Sequence, residues 1–335
     1  MTLRPTLLLF FLLTTTLATP AWAAPLDIIP FQTSNRAPMT QIFGLPGPGR
    51  ALLLGPGETA ASFAVDAEQN YSHNTSNNES IFFDGESYRF NLALHRGILP
   101  RLEAGIELPY LSHRGGFLDG FIEGWHDTFG LPQNGRDKAP RDQLRYSYIR
   151  NGKQEVLLDD NTEGLGDIRL HLAWQIDRPK EGPQRGAALH AALKLPTGDS
   201  DDLLGSGSTD LTLWLTGTRN GNWGGTALAL FGSAGIMGLT DGEVAEEYQR
   251  NLVGFAMLGG GWRPFPWMVL KLQLDGHTPF FDSELEELGD PAAVLTLGGD
   301  LALSEQMALE LGVSEDIATG TAPDVMFHLD LRSRF

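Results

Sequence analysis

Beyond residue 60 of this 335-residue chain, the apolar residues fall on every second position for ten to twelve residues at a time. No other feature limits the possible folds as much. Tyr88, Phe90, Leu92 and Leu94 interleave with Arg89, Asn91 and His95, and Leu102, Ala104, Ile106, Leu108 and Tyr110 with Glu103, Gly105 and Glu107. Ile168, Leu170, Leu172, Trp174 and Ile176 alternate with Asp167, Arg169, His171 and Gln175; Leu270, Leu272 and Leu274 alternate with Lys271, Gln273 and Asp275. A period of two gives each strand one apolar and one polar face. A soluble antiparallel sandwich fits that pattern, and so does a barrel in lipid with a polar lumen. Run length favours the barrel: a tilted strand needs about 9–11 residues to cross a bilayer, whereas strands of soluble proteins average about 5–6.

The spacing predicts twelve strands, near 60–71, 86–97, 100–112, 165–176, 187–196, 208–219, 225–237, 249–262, 267–277, 291–303, 307–316 and 324–335. Their connections alternate between short ones, such as Ile98-Leu99 and 304–306, and long ones, such as 72–85, 113–164 and 278–290. Short turns at one end and long loops at the other are the pattern of outer-membrane barrels. Aromatic residues sort the same way. Trp174, Trp223, Trp262 and Trp267 fall at the short-turn ends, and Tyr71, Tyr110 and Tyr248 at the long-loop ends, as two interfacial belts would. The expected fold is therefore an all-β, transmembrane, antiparallel up-and-down barrel of about 12 strands over 60–335.

Arg4, the apolar run Leu7 to Leu13 and Ala21-Trp22-Ala23 form a secretory signal peptide over 1–23, so export is expected. Residues 24–59 are rich in proline and glycine and cannot form a lipid-facing strand, because proline lacks the donor a ladder needs. They are expected either in the periplasm or threaded into the barrel as a plug. The chain has no cysteine, which removes disulfides, thiolate metal sites and cysteine nucleophiles. With 24 Lys+Arg against 42 Asp+Glu it has no electrostatic grip on phosphates, so nucleic acid is excluded as a partner.

Alternation places Arg89, Glu103, Glu107, Asp167, Arg169, His171, His190, Lys194, Lys271, Asp275, Asp300, Glu310, His328 and Asp330 on the lumen side. Acids outnumber bases there, so a conducting lumen should favour cations; alternatively, the charges pair across the barrel and simply fill it. In Gly115–Pro132 the period shifts to helical, with Phe117, Leu118, Phe121, Ile122, Trp125 and Phe129 apolar and His126 among the polar positions. A short helix in the longest outer loop is expected, serving as a constriction or packing on the barrel rim. Asp199, Asp201 and Asp202, with Asp210, offer oxygen ligands to Ca²⁺, though not at the spacing of a Ca²⁺ loop. No G-x-S-x-G, H-E-x-x-H or P-loop occurs, and no strand carries His-x-Ser. The enzymatic alternative is a hydrolase using outer-loop carboxylates with His126. No cofactor is expected.

Val325, Phe327, Leu329 and Leu331 alternate toward a terminal Phe335, interrupted by Ser333. This resembles the sorting signal of bacterial outer-membrane barrels, which implies the barrel-assembly machinery as a partner. NRAPMTQIFGLP (35–46), GGFLDGFIEGWHDTFGLP (115–132), and EGLGDIRL (163–170) with KLPTGDSDDLLGSGSTDLTL (194–213) together resemble an uncharacterised family of proteobacterial outer-membrane proteins. The last pair is also similar to barrels associated with uptake of aromatic and other hydrophobic compounds. The resemblance implies a bacterial outer-membrane location in contact with lipid and lipopolysaccharide. The expected function is porin-like passive passage of small solutes, hydrophobic ones among them, with a closed envelope-interaction barrel as the alternative. The resemblance transfers no catalytic residue.

Overall fold

The computed structural model describes residues 27–116, 142–179, 185–317 and 320–335, with only the backbone of Trp223. Its strands are β1 (Thr59–Thr75), β2 (Glu79–Leu99), β3 (Leu102–Arg114), β4 (Arg145–Arg150), β5 (Lys153–Leu158), β6 (Thr162–Leu165), β7 (Arg169–Asp177) and β8 (Arg185–Lys194). They continue as β9 (Asp210–Trp223), β10 (Thr226–Leu239), β11 (Leu252–Phe265), β12 (Met268–His277), β13 (Ala292–Ala302), β14 (Met307–Asp316) and β15 (Val325–Arg334). Twelve of them, β1–β3 and β7–β15, form a closed antiparallel ring in which each strand pairs with its neighbours in chain order. β15 returns to β1 with Ala60 opposite Arg334, and Thr59 and Phe335 exchange two backbone hydrogen bonds of 2.7 and 2.8 Å. Closure leaves no unpaired edge, the condition for a sheet to survive in lipid.

Side-chain placement follows the period of two. On β9, Leu211, Leu213 and Leu215 face out and stay exposed, while Thr212, Trp214 and Thr216 between them are buried inside. Leu172, Leu230, Leu258 and Leu297 are likewise more than half exposed. A sandwich would bury that row; here it forms the apolar outer band of a membrane barrel. Trp174 and Trp267, both about half exposed, sit at the short-turn end of that band.

Three expectations need correction. The stretch 72–85 is not a loop: β1 and β2 keep pairing from Ser72–Phe83 to Thr75–Ser80, and only 76–78 turn. In that extension the apolar residues change sides. Ile81 and Phe83 point inward and are buried, whereas Leu92 and Leu94 lower on the same strand point outward. Above the bilayer no lipid covers the outer face, so the apolar side turns to the interior and the pattern falls out of phase. The long connection after β3 also holds strands: β4 pairs with the extended part of β2, β5 with β4, and β6 with the top of β3. Finally, the β9–β10 turn is shorter than 219–224. The ladder runs to Trp223–Thr226 around Gly224 and Gly225, whose φ angles of 57° and 85° suit a tight hairpin.

Residues 27–58 lie inside the ring. The chain enters at the short-turn end, where Asp27 is 3.6 Å from Arg334, and rises past β12, with Phe31 N donating to Gln273 at 2.8 Å. At the long-loop end it forms one helical turn, α1 (Pro38–Gln41), and then reverses. Gly44 makes the reversal at φ 66°; a Cβ there would meet the Lys194 side chain at 3.0 Å. The descending leg passes Trp214, whose Nε1 donates to Pro48 O at 2.8 Å, and Gln175, which accepts from Leu53 N at 2.8 Å, before joining β1. Pro30, Pro38, Pro46, Pro48 and Pro56 keep this segment out of any ladder, so its remaining backbone groups must bond to wall side chains.

Candidate functional site: the filled lumen

The inward charges converge into three buried networks, each holding the inner segment. In the first, Arg36 of the segment lies 3.0 Å from Asp66 on β1, which also contacts His328 Nδ1. His328 Nε2 is 3.0 Å from Glu310, and Glu310 pairs with Lys271 and, at 3.4 Å, with Arg332. Asp300 completes the network at 3.0 Å from Lys271 and 2.6 Å from Arg332. In the second, Glu107 joins Arg169 (2.6 Å) and His171 (3.0 Å), while Arg169 donates to Gly44 O at 2.8 Å. Next to it Glu103 pairs with His95 at 3.2 Å and accepts from Leu54 N at 2.9 Å. In the third, Lys194 lies between Asp167 (2.6 Å) and Asp210 (3.2 Å) and reaches Ile42 O at 3.4 Å. Charges taken out of water in this way persist because each has a partner.

The remaining predicted lumen residues also face inward. Arg89 is buried within electrostatic reach of Asp66 and Glu107. His190 stacks on Trp214 with ring centroids 5.0 Å apart and bonds Arg50 O at 3.0 Å. Asp275 accepts from Gln273 at 2.9 Å, and Asp330 is buried on β15 beside His328 and Glu310. The proposed constriction residues Phe117, Phe121, Trp125, His126 and Phe129 lie outside the described residues. Sequence reading missed Asp66, Glu68 and Trp214 on the wall and Arg36 on the inner segment; it put Gln175 and Gln273 on the polar face without singling them out. Strand parity alone would have found Trp214, between Leu213 and Leu215. On β1 the alanines at positions 60, 61, 64 and 67 fall on both faces and blur the alternation.

At the long-loop end the tip of the inner segment is locked by apolar contact. Phe43 stacks on Phe280 at 4.8 Å and leans on Phe281 at 5.5 Å, within a cluster that includes Met39, Ile81, Tyr146 and Tyr148. Tyr148, on the β4–β5 hairpin outside the membrane-spanning strands, has its phenol pushed up to about 12 by burial and by its hydrogen bond to Glu79.

The profile of a family described as protein of unknown function (DUF3187) matches residues 6–335 of this sequence. The chain is a member of the DUF3187 family. The match covers nearly all of it, in keeping with the resemblance carried by the 35–46, 115–132, 163–170 and 194–213 motifs. No curated protein matches the sequence. The structure is similar to the COG4313 outer membrane channel from Pseudomonas putida F1, with TM-score 0.55 at 15% identity over 86% of this chain and 99% of that one. Looser likenesses are to the NanC porin (TM-score 0.44, 7% identity, 83% and 98% covered) and to the Ralstonia pickettii toluene transporter TbuX (0.34, 9%, 84% and 90%). At such identities the likeness establishes the fold alone: this DUF3187 chain has the barrel of bacterial outer-membrane proteins.

Two arrangements bear on chemistry in this DUF3187 barrel. Ser87 Oγ lies 2.7 Å from His113 Nδ1, the pairing of an activated serine. Both side chains are buried, however; Tyr146 OH crowds the hydroxyl at 3.1 Å and Leu203 O holds His113 Nε2 at 3.2 Å, so a substrate carbonyl has no approach. Among the described residues the one group of ligand-type side chains that converges is Glu310, His328 and Asp330, and its Glu310 is already engaged by Lys271 and Arg332. The Ca²⁺ candidates do not converge. Asp199 and Asp201 are exposed, Asp202 is half-buried, and Asp210 is committed to Lys194.

Proposed function

We propose that this chain is an outer-membrane channel for passive passage of small solutes, apolar ones among them, with residues 27–58 as a plug that sets its resting state. The observation that carries the reading is the filling of the lumen. Barrel side chains do not pack the interior solid, as they do in eight-stranded barrels. The ring of twelve instead leaves room for a separate segment, tethered by polar bonds and packed at its tip through Phe43 against Phe280 and Phe281. Likeness in fold to a protein described as an outer membrane channel agrees with this reading. The wall charges Glu103, Glu107, Asp167 and Arg169 would set selectivity once the plug moves, and loop residues 117–129 would narrow the outer mouth. Exposed Phe335, beside the start of β1, would be the contact for the barrel-assembly machinery.

A second reading is a closed barrel that serves envelope structure. It is favoured by the near-complete burial of the inner segment from Phe31 to Leu45. Conductance of the refolded mature chain in a planar bilayer separates the two, measured beside a deletion of 115–132. Discrete steps, enlarged by the deletion, establish a channel narrowed by that loop. Silence in both, and also after Phe43→Ala loosens the plug, from protein shown to be folded, establishes the closed barrel.

A further inference from the structure

The short-turn end of the lumen holds a small, partly open cavity of about 60 Å³, as reckoned for the centres of water molecules, between the two legs of the inner segment and the walls of β9–β11 and β14–β15. Its apolar side is Ile28, Phe231 and Met257, which pack together. Its charged side is Arg50, Arg332 and Arg334 against a single acid, Asp27.

The three guanidiniums differ in what they already hold. Arg332 is buried and engaged by Asp300 and Glu310, while Arg334 bridges Glu58 at 2.8 Å and Asp27 at 3.6 Å. Arg50 is half-buried, and among the described residues its guanidinium has neither a hydrogen bond nor an ion pair; only its carbonyl is engaged, by His190 and Thr216. The acids within its electrostatic reach are spoken for: Glu103 by His95 and Leu54 N, Asp27 by Arg334. A half-buried cation facing a partly apolar cavity lacks the partner that such charges ordinarily have.

We infer that this cavity binds a small organic acid, its carboxylate on Arg50 and its apolar body against Ile28, Phe231 and Met257. The planar guanidinium accepts a carboxylate on two parallel N–H donors, a geometry a lysine cannot offer. Arg332 and Arg334 are already neutralised by their own carboxylates, so the charge on offer is that of Arg50, and the mixed lining matches small-molecule sites, which are mostly apolar with a few placed polar groups. This deepens the passage reading and rests on it for the cargo class: a compound carrying an apolar body and one negative charge would be held at the short-turn mouth. It also reverses, locally, the cation preference expected from counting lumen acids.

The test uses the full mature chain in lipid nanodiscs, with empty discs as the control for partitioning. Phenylacetate and its neutral analogue phenylacetamide are titrated calorimetrically at fixed ionic strength. Phenylacetate should bind at least about tenfold tighter than the amide, a step of about 1.4 kcal/mol. Arg50→Gln should abolish the difference and Arg50→Lys should restore only part of it. Equal affinity for acid and amide, or an unchanged preference in Arg50→Gln, overturns the inference; the wild-type comparison decides even if a variant fails to fold. Flux of both probes into proteoliposomes separates this inference from the passage reading. Acid-selective binding without flux leaves the site and removes the channel, whereas flux without acid selectivity does the reverse.

Discussion

At the long-loop end of the lumen the inner segment presents Phe43 to Phe280 and Phe281 inside a continuous apolar cluster, whereas at the short-turn end the same segment leaves a cavity lined by arginines. The upper contact excludes water through aromatic and aliphatic surface, with few polar atoms to satisfy. The lower region is held by ion pairs that leave Arg50 over. A segment whose tip adds aromatic packing to its polar bonds, and whose base leans on ion pairs, can be loosened at either end by different means. Substitutions and pH should therefore act on the two ends separately.

The largest effect is expected between the ends, where the ion network joins both. Lys271→Met would leave Asp300 with Arg332, and Glu310 with Arg332 and His328, and losing one partner of a buried pair costs about 3–5 kcal/mol. The temperature at which the barrel loses its folded, fast electrophoretic migration should fall markedly; no change would mean that the network does not support the wall. Next comes the upper lock. Phe43→Ala removes a fully buried ring, worth about 3 kcal/mol. Larger or more frequent conductance steps, with phenylacetate affinity unchanged, would show that the two ends act independently, whereas loss of that affinity would couple them. Trp214→Phe keeps an aromatic side chain beside His190 but loses the indole N–H and its bond to Pro48 O together with some buried volume, a cost of at least about 1 kcal/mol. Amide exchange should rise in 47–50 and stay unchanged near Phe43.

The smallest effect is a pH dependence at the base of the descending leg. Gly55 N donates to Glu58 at 2.6 Å, and with the Arg334 contact at 2.8 Å this holds the carboxyl below its usual range. A lowered folded-state value contributes stability that is present above the ordinary glutamate pKa of about 4.3. That contribution is lost as pH falls through the folded value. Exchange at 55–58, corrected for the intrinsic pH dependence, should rise on acidification through that range, and Glu58→Gln should remove the pH dependence. An identical profile in the variant would assign the effect to another group.

Much of the wall was legible in the sequence because lipid outside and a polar interior impose a period of two along the full length of each spanning strand. All fourteen residues assigned to the lumen by that period, from Arg89 to Asp330, do face inward. Legibility stopped where the environment changed. In 79–85 the apolar face turns inward above the bilayer, so Ile81 and Phe83 read as loop. On β1, alanines on both faces concealed Asp66 and Glu68. Counting lumen charges also misses their effect: Asp66, Glu107, Asp167, Asp300 and Glu310 each have a cation beside them, and the free charge that remains at the lower cavity is Arg50.

The sequence by itself determined a membrane barrel, its twelve strands, the inward or outward direction of side chains wherever the alternation is clean, and the exclusion of the proline-rich lead from the sheet. These follow from local periodicity and from backbone donors that proline lacks. Only the tertiary structure decided which charges meet, that the proline-rich segment rises inside the ring and turns at Gly44, and that Arg50 arrives at the cavity without a partner. Those outcomes depend on closure of β15 onto β1 and on contacts between residues hundreds of positions apart, such as Phe31 with Gln273, and no local pattern encodes such contacts.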